Sequence, residues 1–84
     1  MAQTHSVEIQ DMTYVPDQLT VSVGDTVTWT NTDPMRHTVT ADDGSFDSGR
    51  LAGGQTFSHT FTSAGAVPYH CEIHRGMTGT VTVS

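Results

Sequence analysis

The chain has 84 residues, nine carboxylates, three arginines, no lysine and one cysteine, for a formal charge of −6. A single domain over residues 1–84 of this size buries only roughly 60 to 65% of its unfolded surface, and a lone cysteine excludes an internal disulfide, so an economical fold or a bound metal must hold it together. The negative charge argues against nucleic acid and anionic membranes as partners, and no apolar run approaches the roughly 20 residues of a bilayer span.

In chain order, the first residues, Met1 to His5, lack the basic start and apolar middle of a signal peptide, so any exporting leader is expected to have been removed. From there apolar residues recur at every second position: Val7 and Ile9, then Leu19, Val21 and Val23, then Val27 and Trp29. Period two places them on one face of half-buried strands. A short strand is predicted at Thr38-Val39-Thr40, and the alternation returns at Phe57, His59 and Phe61, at Val67, Tyr69 and Cys71, and at Val81 and Val83. Threonine fills many intervening positions, as suits a pleated surface. Turn residues separate these runs at Pro16-Asp17, Gly24-Asp25, Asn31 to Pro34, Asp42-Asp43-Gly44, Gly53-Gly54, Ala64-Gly65 and Arg75-Gly76. With no helical spacing of useful length, the prediction is an all-β, antiparallel Greek-key sandwich of seven or eight short strands.

The chemistry concentrates near the end of the chain. Cys71, His74 and Met77 follow one another at a C-x-x-H-x-x-M spacing, with Cys71 closing a strand and the other two on the loop after it. Thiolate, imidazole and thioether together suit copper, and a second imidazole would complete a His₂Cys site with a weak axial Met. His37, after the turn Asp33-Pro34-Met35-Arg36, is the best source of that imidazole. His5 lies near the terminus, His70 alternates away from Cys71, and His59 reads as a structural histidine between Phe57 and Phe61. A cysteine alone is more often a small buried hydrophobe; its companions at this spacing reverse that preference. Ligands drawn from two strand ends would make a stiff site. The acidic turn Asp42 to Asp47 lacks the spaced oxygens of a calcium loop and is predicted to be solvated.

Several segments together resemble the cupredoxin family, in particular its small plastocyanin-like and amicyanin-like members. They are Val27-Thr28-Trp29-Thr30-Asn31 leading into His37-Thr38-Val39, Phe46-Asp47-Ser48-Gly49, Gly54 to Ser58, and Tyr69-His70-Cys71 followed by Thr78 to Val81. The resemblance covers nearly the whole chain. It implies one type 1 copper, Cu(I)/Cu(II), with His37, Cys71 and His74 as strong equatorial ligands and Met77 as the weak axial one. It also implies one-electron shuttling between larger redox proteins in the periplasm or another extracytoplasmic compartment. The chain departs from the family pattern at Glu72, at Thr38 after the first histidine, and at Arg75 after the second, so hydrogen bonding around the ligands is expected to differ. His59 and Val67 are further departures.

Two other functions compete. A cysteine-nucleophile enzyme would need an oxyanion hole and a substrate cleft, for which the sequence offers no place, so no enzyme is expected. A copper or zinc delivery module would use the same donors without redox cycling. For a monomeric electron carrier, Arg36 and Arg75 flank the ligands and are expected to steer acidic partners toward an apolar rim of Pro34, Met35, Ile73 and Gly76. The competing expectation pairs the two arginines with Asp33 and Glu72.

Overall fold

Eight strands form two four-stranded sheets in the computed structural model, which describes residues 2–74 and 76–84. The strands are β1 (Thr4–Gln10), β2 (Thr13–Val15), β3 (Gln18–Val21), β4 (Thr26–Asn31), β5 (Thr40–Ala41), β6 (Thr56–Thr60), β7 (Gly65–His70) and β8 (Thr78–Val83). One sheet runs β2-β1-β4-β6 and the other β3-β8-β7-β5. The strand count agrees with the alternating pattern. The expectation of a purely antiparallel sandwich is corrected, because β1 pairs with β4 and β3 with β8 in parallel. The cause is connectivity: the chain leaves the first sheet after β2, crosses to β3 in the second, and returns as β4 running alongside β1. The predicted strand at Thr38-Val39-Thr40 shortens to Thr40–Ala41, with His37 and Thr40 forming isolated bridges to Leu51 and Asp47.

Most of the period-two residues meet between the sheets, whereas Val23, past the end of β3, is exposed. Val7, Ile9, Val27, Trp29, Tyr69, Val81 and Val83 are all buried. Trp29 is fully enclosed, with the rings of Tyr69, Phe46 and Phe57 at centroid distances of 5.4, 5.9 and 5.9 Å. Burying a side chain of this size contributes on the order of 2–3 kcal/mol. Phe46 and Leu51 come from the long excursion between β5 and β6 and close the open side of this core.

At one end of the sandwich three loops converge. The β1–β2 turn at Asp11-Met12, the segment 32–39 and the loop that begins at Cys71 meet there, joined by the Asp11 and Met12 N–H groups donating to Asp33 and by the Glu72 N–H donating to the Thr38 hydroxyl. Asp11 and Met12 both have positive φ, 53° and 59°. Two left-handed residues give a two-residue hairpin turn whose twist matches its strands, normally the province of Asn-Gly or Gly-Gly.

Candidate metal centre

Cys71 sits just past the end of β7, where alternation turns its side chain inward. It is buried, and its thiol carries no disulfide. Two backbone N–H groups point at its sulfur, from Thr38 at 3.4 Å and from His74 at 3.5 Å.

His37 is fully buried at the bridge to Leu51, where its N–H and C=O exchange hydrogen bonds of 3.1 and 2.7 Å with that residue. Its Nδ1 lies 3.9 Å from Cys71 Sγ, and its Nε2 lies 2.8 Å from a carboxylate oxygen of Asp33. The long first distance and the short second one assign the ring. A carboxylate only accepts, so Nε2–H is the donor to Asp33, and the ring turns its Nδ1 toward the sulfur.

Asp33 is itself buried and accepts the backbone N–H groups of Asp11 at 2.8 Å and Met12 at 2.9 Å. The Met12 amide first, then those of Asp11 and the His37 ring, hold its carboxyl below the usual carboxylate range against the opposing effect of burial. Asn31 fixes the backbone between them: its Oδ1 accepts the Asp33 N–H, and its Nδ2 donates to the carbonyls of Met35 and Leu51, each at 2.8 Å.

The ring of His74 packs beside that of His37, centroids 4.8 Å apart, and the residue is half-buried, so this imidazole lies between the interior and solvent. Met77 is buried within the main hydrophobic cluster. Of the four predicted donors, Cys71 and His37 thus meet directly, His74 adjoins His37, and Met77 closes the same loop. No three His, Cys, Asp or Glu side chains form a ready metal cage among the described residues.

Thr38 answers the departure noted at Glu72. Its hydroxyl accepts the Glu72 N–H at 2.8 Å and lies 3.0 Å from the Thr40 hydroxyl, which donates to Asp47. Support for the loop therefore comes from a hydroxyl after the first histidine and a backbone N–H after the cysteine. The Tyr14 hydroxyl donates to the Thr38 carbonyl at 2.6 Å, and burial, followed by the charges of Cys71 and Tyr69, pushes its own ionisation well above the usual phenol range.

The remaining histidines lie apart. His70 is bracketed by Asp42 at 2.6 Å and Glu72 at 3.2 Å, His5 is bonded to Asp25, and His59 lies against Phe46 and edge-on to Phe61. Arg36 is exposed, and among the described residues the ion pairs all involve histidine, so the predicted Arg36–Asp33 pair does not form. Arg75 lies outside the described residues. Sequence reasoning placed Asp33 only as a partner for Arg36 and passed over Tyr14 and the Asp11-Met12 turn. A carboxylate four residues before His37 was the available signal for Asp33, whereas nothing local marked the others.

The family model for copper-binding proteins of the plastocyanin/azurin family matches residues 1–84. An amicyanin from Paracoccus denitrificans is 43% identical over 82 residues, covering 92% of this chain and 63% of that protein. A plastocyanin from Scenedesmus fuscus is 33% identical over 85 residues, covering 86% and 87%. The solved structure of an amicyanin mutant in its oxidized state superposes with a TM-score of 0.90 at 37% identity, covering 96% of this chain and 82% of that one. The chain thus spans a little under two thirds of that Paracoccus amicyanin and most of the plastocyanin. With matching sequence along its whole length and a matching sandwich, the chain belongs to the plastocyanin/azurin family of copper-binding proteins.

Proposed function

We propose that this protein is a type 1 copper electron carrier, holding one copper ion through His37 Nδ1, Cys71 Sγ, His74 and Met77. The observation that carries the reading is the 3.9 Å separation of His37 Nδ1 from Cys71 Sγ while Nε2 is engaged by Asp33. That gap is too long for a useful hydrogen bond. It suits two donors on one ion, because bonds of about 2.0 Å to nitrogen and 2.3 Å to sulfur place such donors roughly 3.5 to 3.9 Å apart. A thiolate, imidazoles and a thioether are the donor set of blue-copper sites. Copper in such a set supplies a one-electron change between Cu(I) and Cu(II).

The chain's own residues shape that chemistry. Burial of His37, Cys71 and Met77 excludes water, and the rigid strand ends that carry them resist rearrangement when the charge changes. The Thr38 and His74 N–H groups spread the sulfur's negative charge into the backbone. Half-buried His74 is the route to the surface, and Met35 and Ile73, near His37 and His74 in sequence, are exposed. These apolar side chains and Pro34 would let larger redox proteins approach, with exposed Arg36 attracting acidic surfaces on an otherwise anionic molecule. The reading extends to a monomer that works outside the cytoplasm as a carrier rather than an enzyme.

Titrating the metal-free protein with Cu(II) and following visible absorption, in wild type and Cys71→Ala, tests the proposal. An intense red-region band should saturate at one copper per chain, bleach reversibly with a mild reductant, and be absent in the variant. A weak spectrum, or metal released on reduction, would instead support a delivery module. Reaction with an acidic redox protein should slow as salt rises, and Arg36→Glu should weaken that dependence; an unchanged dependence would remove Arg36 from the docking surface.

A further inference from the structure

We infer that Asp33 is a positioning residue that couples the tip of the β1–β2 hairpin to the His37 imidazole. The inference rests on the reading of His37 as a copper ligand, although its first observable does not need copper.

The carboxylate bridges two groups that the chain brings together only in three dimensions. Oδ1 accepts the Asp11 N–H at 2.8 Å, and Oδ2 accepts the Met12 N–H at 2.9 Å while also lying 2.8 Å from His37 Nε2. Asp11 and Met12 hold left-handed backbone angles that residues with a Cβ rarely adopt. That turn is the conformation that presents two successive N–H groups to one carboxylate. The carboxylate in turn compensates a backbone that this sequence would otherwise disfavour. Its backbone is pinned by Asn31 Oδ1, so the carboxyl group has little freedom to follow one partner and desert the other. A second tie runs from the same hairpin, because the Tyr14 hydroxyl holds the Thr38 carbonyl next to His37.

Two consequences follow. The orientation and tautomer of His37 depend on the turn as well as on the residue's own segment. By linkage, whatever His37 Nδ1 binds should be felt at the Asp11 and Met12 amides, on a turn that contributes no ligand.

Nitrogen-15 NMR on the metal-free and Cu(I)-loaded protein provides the test, with Asp33→Asn and the double variant Asp11→Asn, Met12→Gly. In wild type without metal, the His37 Nε2 proton should exchange slowly with solvent, and Asp33→Asn should speed its exchange at least about tenfold. Cu(I) should shift the Asp11 and Met12 amide signals in wild type, and this response should vanish in Asp33→Asn together with a loss of roughly 10–100-fold in copper affinity. The double variant keeps both N–H donors while relieving the backbone, so it should retain the Cu(I) response. Wild-type turn amides unmoved by Cu(I) would overturn the coupling, as would an Asp33→Asn protein in which His37 exchange is unchanged. If copper fails to bind wild type at all, the copper reading falls by that result, and the slow, Asp33-dependent exchange of the His37 proton in the metal-free protein still decides the positioning role.

Discussion

At the scale of single residues, the chain builds its candidate metal centre on polar groups that each satisfy several neighbours. Thr38 shows this most clearly, with its N–H on the Cys71 sulfur, its carbonyl accepting from Tyr14 and its hydroxyl accepting from the Glu72 N–H. Replacing Thr38 with valine keeps the shape but leaves the partly buried Glu72 N–H without its acceptor, which should cost about 1–3 kcal/mol. A urea midpoint lowered by that amount, with unchanged slope, would agree; an unchanged midpoint would show that solvent satisfies the N–H. The candidate donors Cys71, His74 and Met77 stand out in the sequence because they share one loop, and His37 was singled out because the other histidines are poorer candidates. Asp33 was not legible as their support. Its role depends on Asp11 and Met12, some 20 residues away in sequence, and at the level of sequence it competed as a surface partner for Arg36.

Among the elements, alternation marked the strands well wherever one face meets the core, as in β1, β4 and β8, whose inward positions Val7, Ile9, Val27, Trp29, Val81 and Val83 are all buried. It failed where pairing rather than periodicity decides. The parallel β1–β4 and β3–β8 ladders follow from which sheet the chain enters next, and hydrophobic period carries no strand direction. The Asp11-Met12 turn was missed because Met12 stands where a glycine would mark such a turn; tertiary hydrogen bonds to Asp33 override local preference there. Gly79 in β8 makes an element-scale prediction. It pairs with Tyr69 across the β7–β8 ladder, and a methyl group at Gly79 would overlap the buried phenol ring of Tyr69. Gly79→Ala should therefore destabilise the protein by about 1–3 kcal/mol through overpacking, read as a lower denaturant midpoint, whereas a neutral substitution would mean that Tyr69 repacks freely.

For the molecule as a whole, the two ends of the sandwich are held by different carboxylates. Away from the candidate metal centre, Asp25 accepts from His5 and from the N–H groups of Gln3 and Ser22, joining the start of β1 to the β3–β4 turn. The His5 bond first, then the two amides, lower its pKa to about 2 from an ordinary 3.8. A depressed native pKa contributes stability that is complete above the unfolded value and lost as pH falls through the native one. Stability should therefore decline between about pH 3.8 and pH 2, and Asp25→Asn should flatten that part of the curve; an acid limb identical in the variant would assign the loss to other carboxylates. Copper should act at the other end, raising stability by roughly 2.7 kcal/mol when free metal is 100 times its dissociation constant. The central claim, that His37, Cys71, His74 and Met77 gather around one ion, is tested most directly by the anomalous-scattering crystal structure of the copper-loaded protein. The account predicts a single strong copper peak bonded to His37 Nδ1, Cys71 Sγ and His74, with the Met77 sulfur as a longer fourth contact. A peak elsewhere, for instance between His70, Asp42 and Glu72, would contradict it.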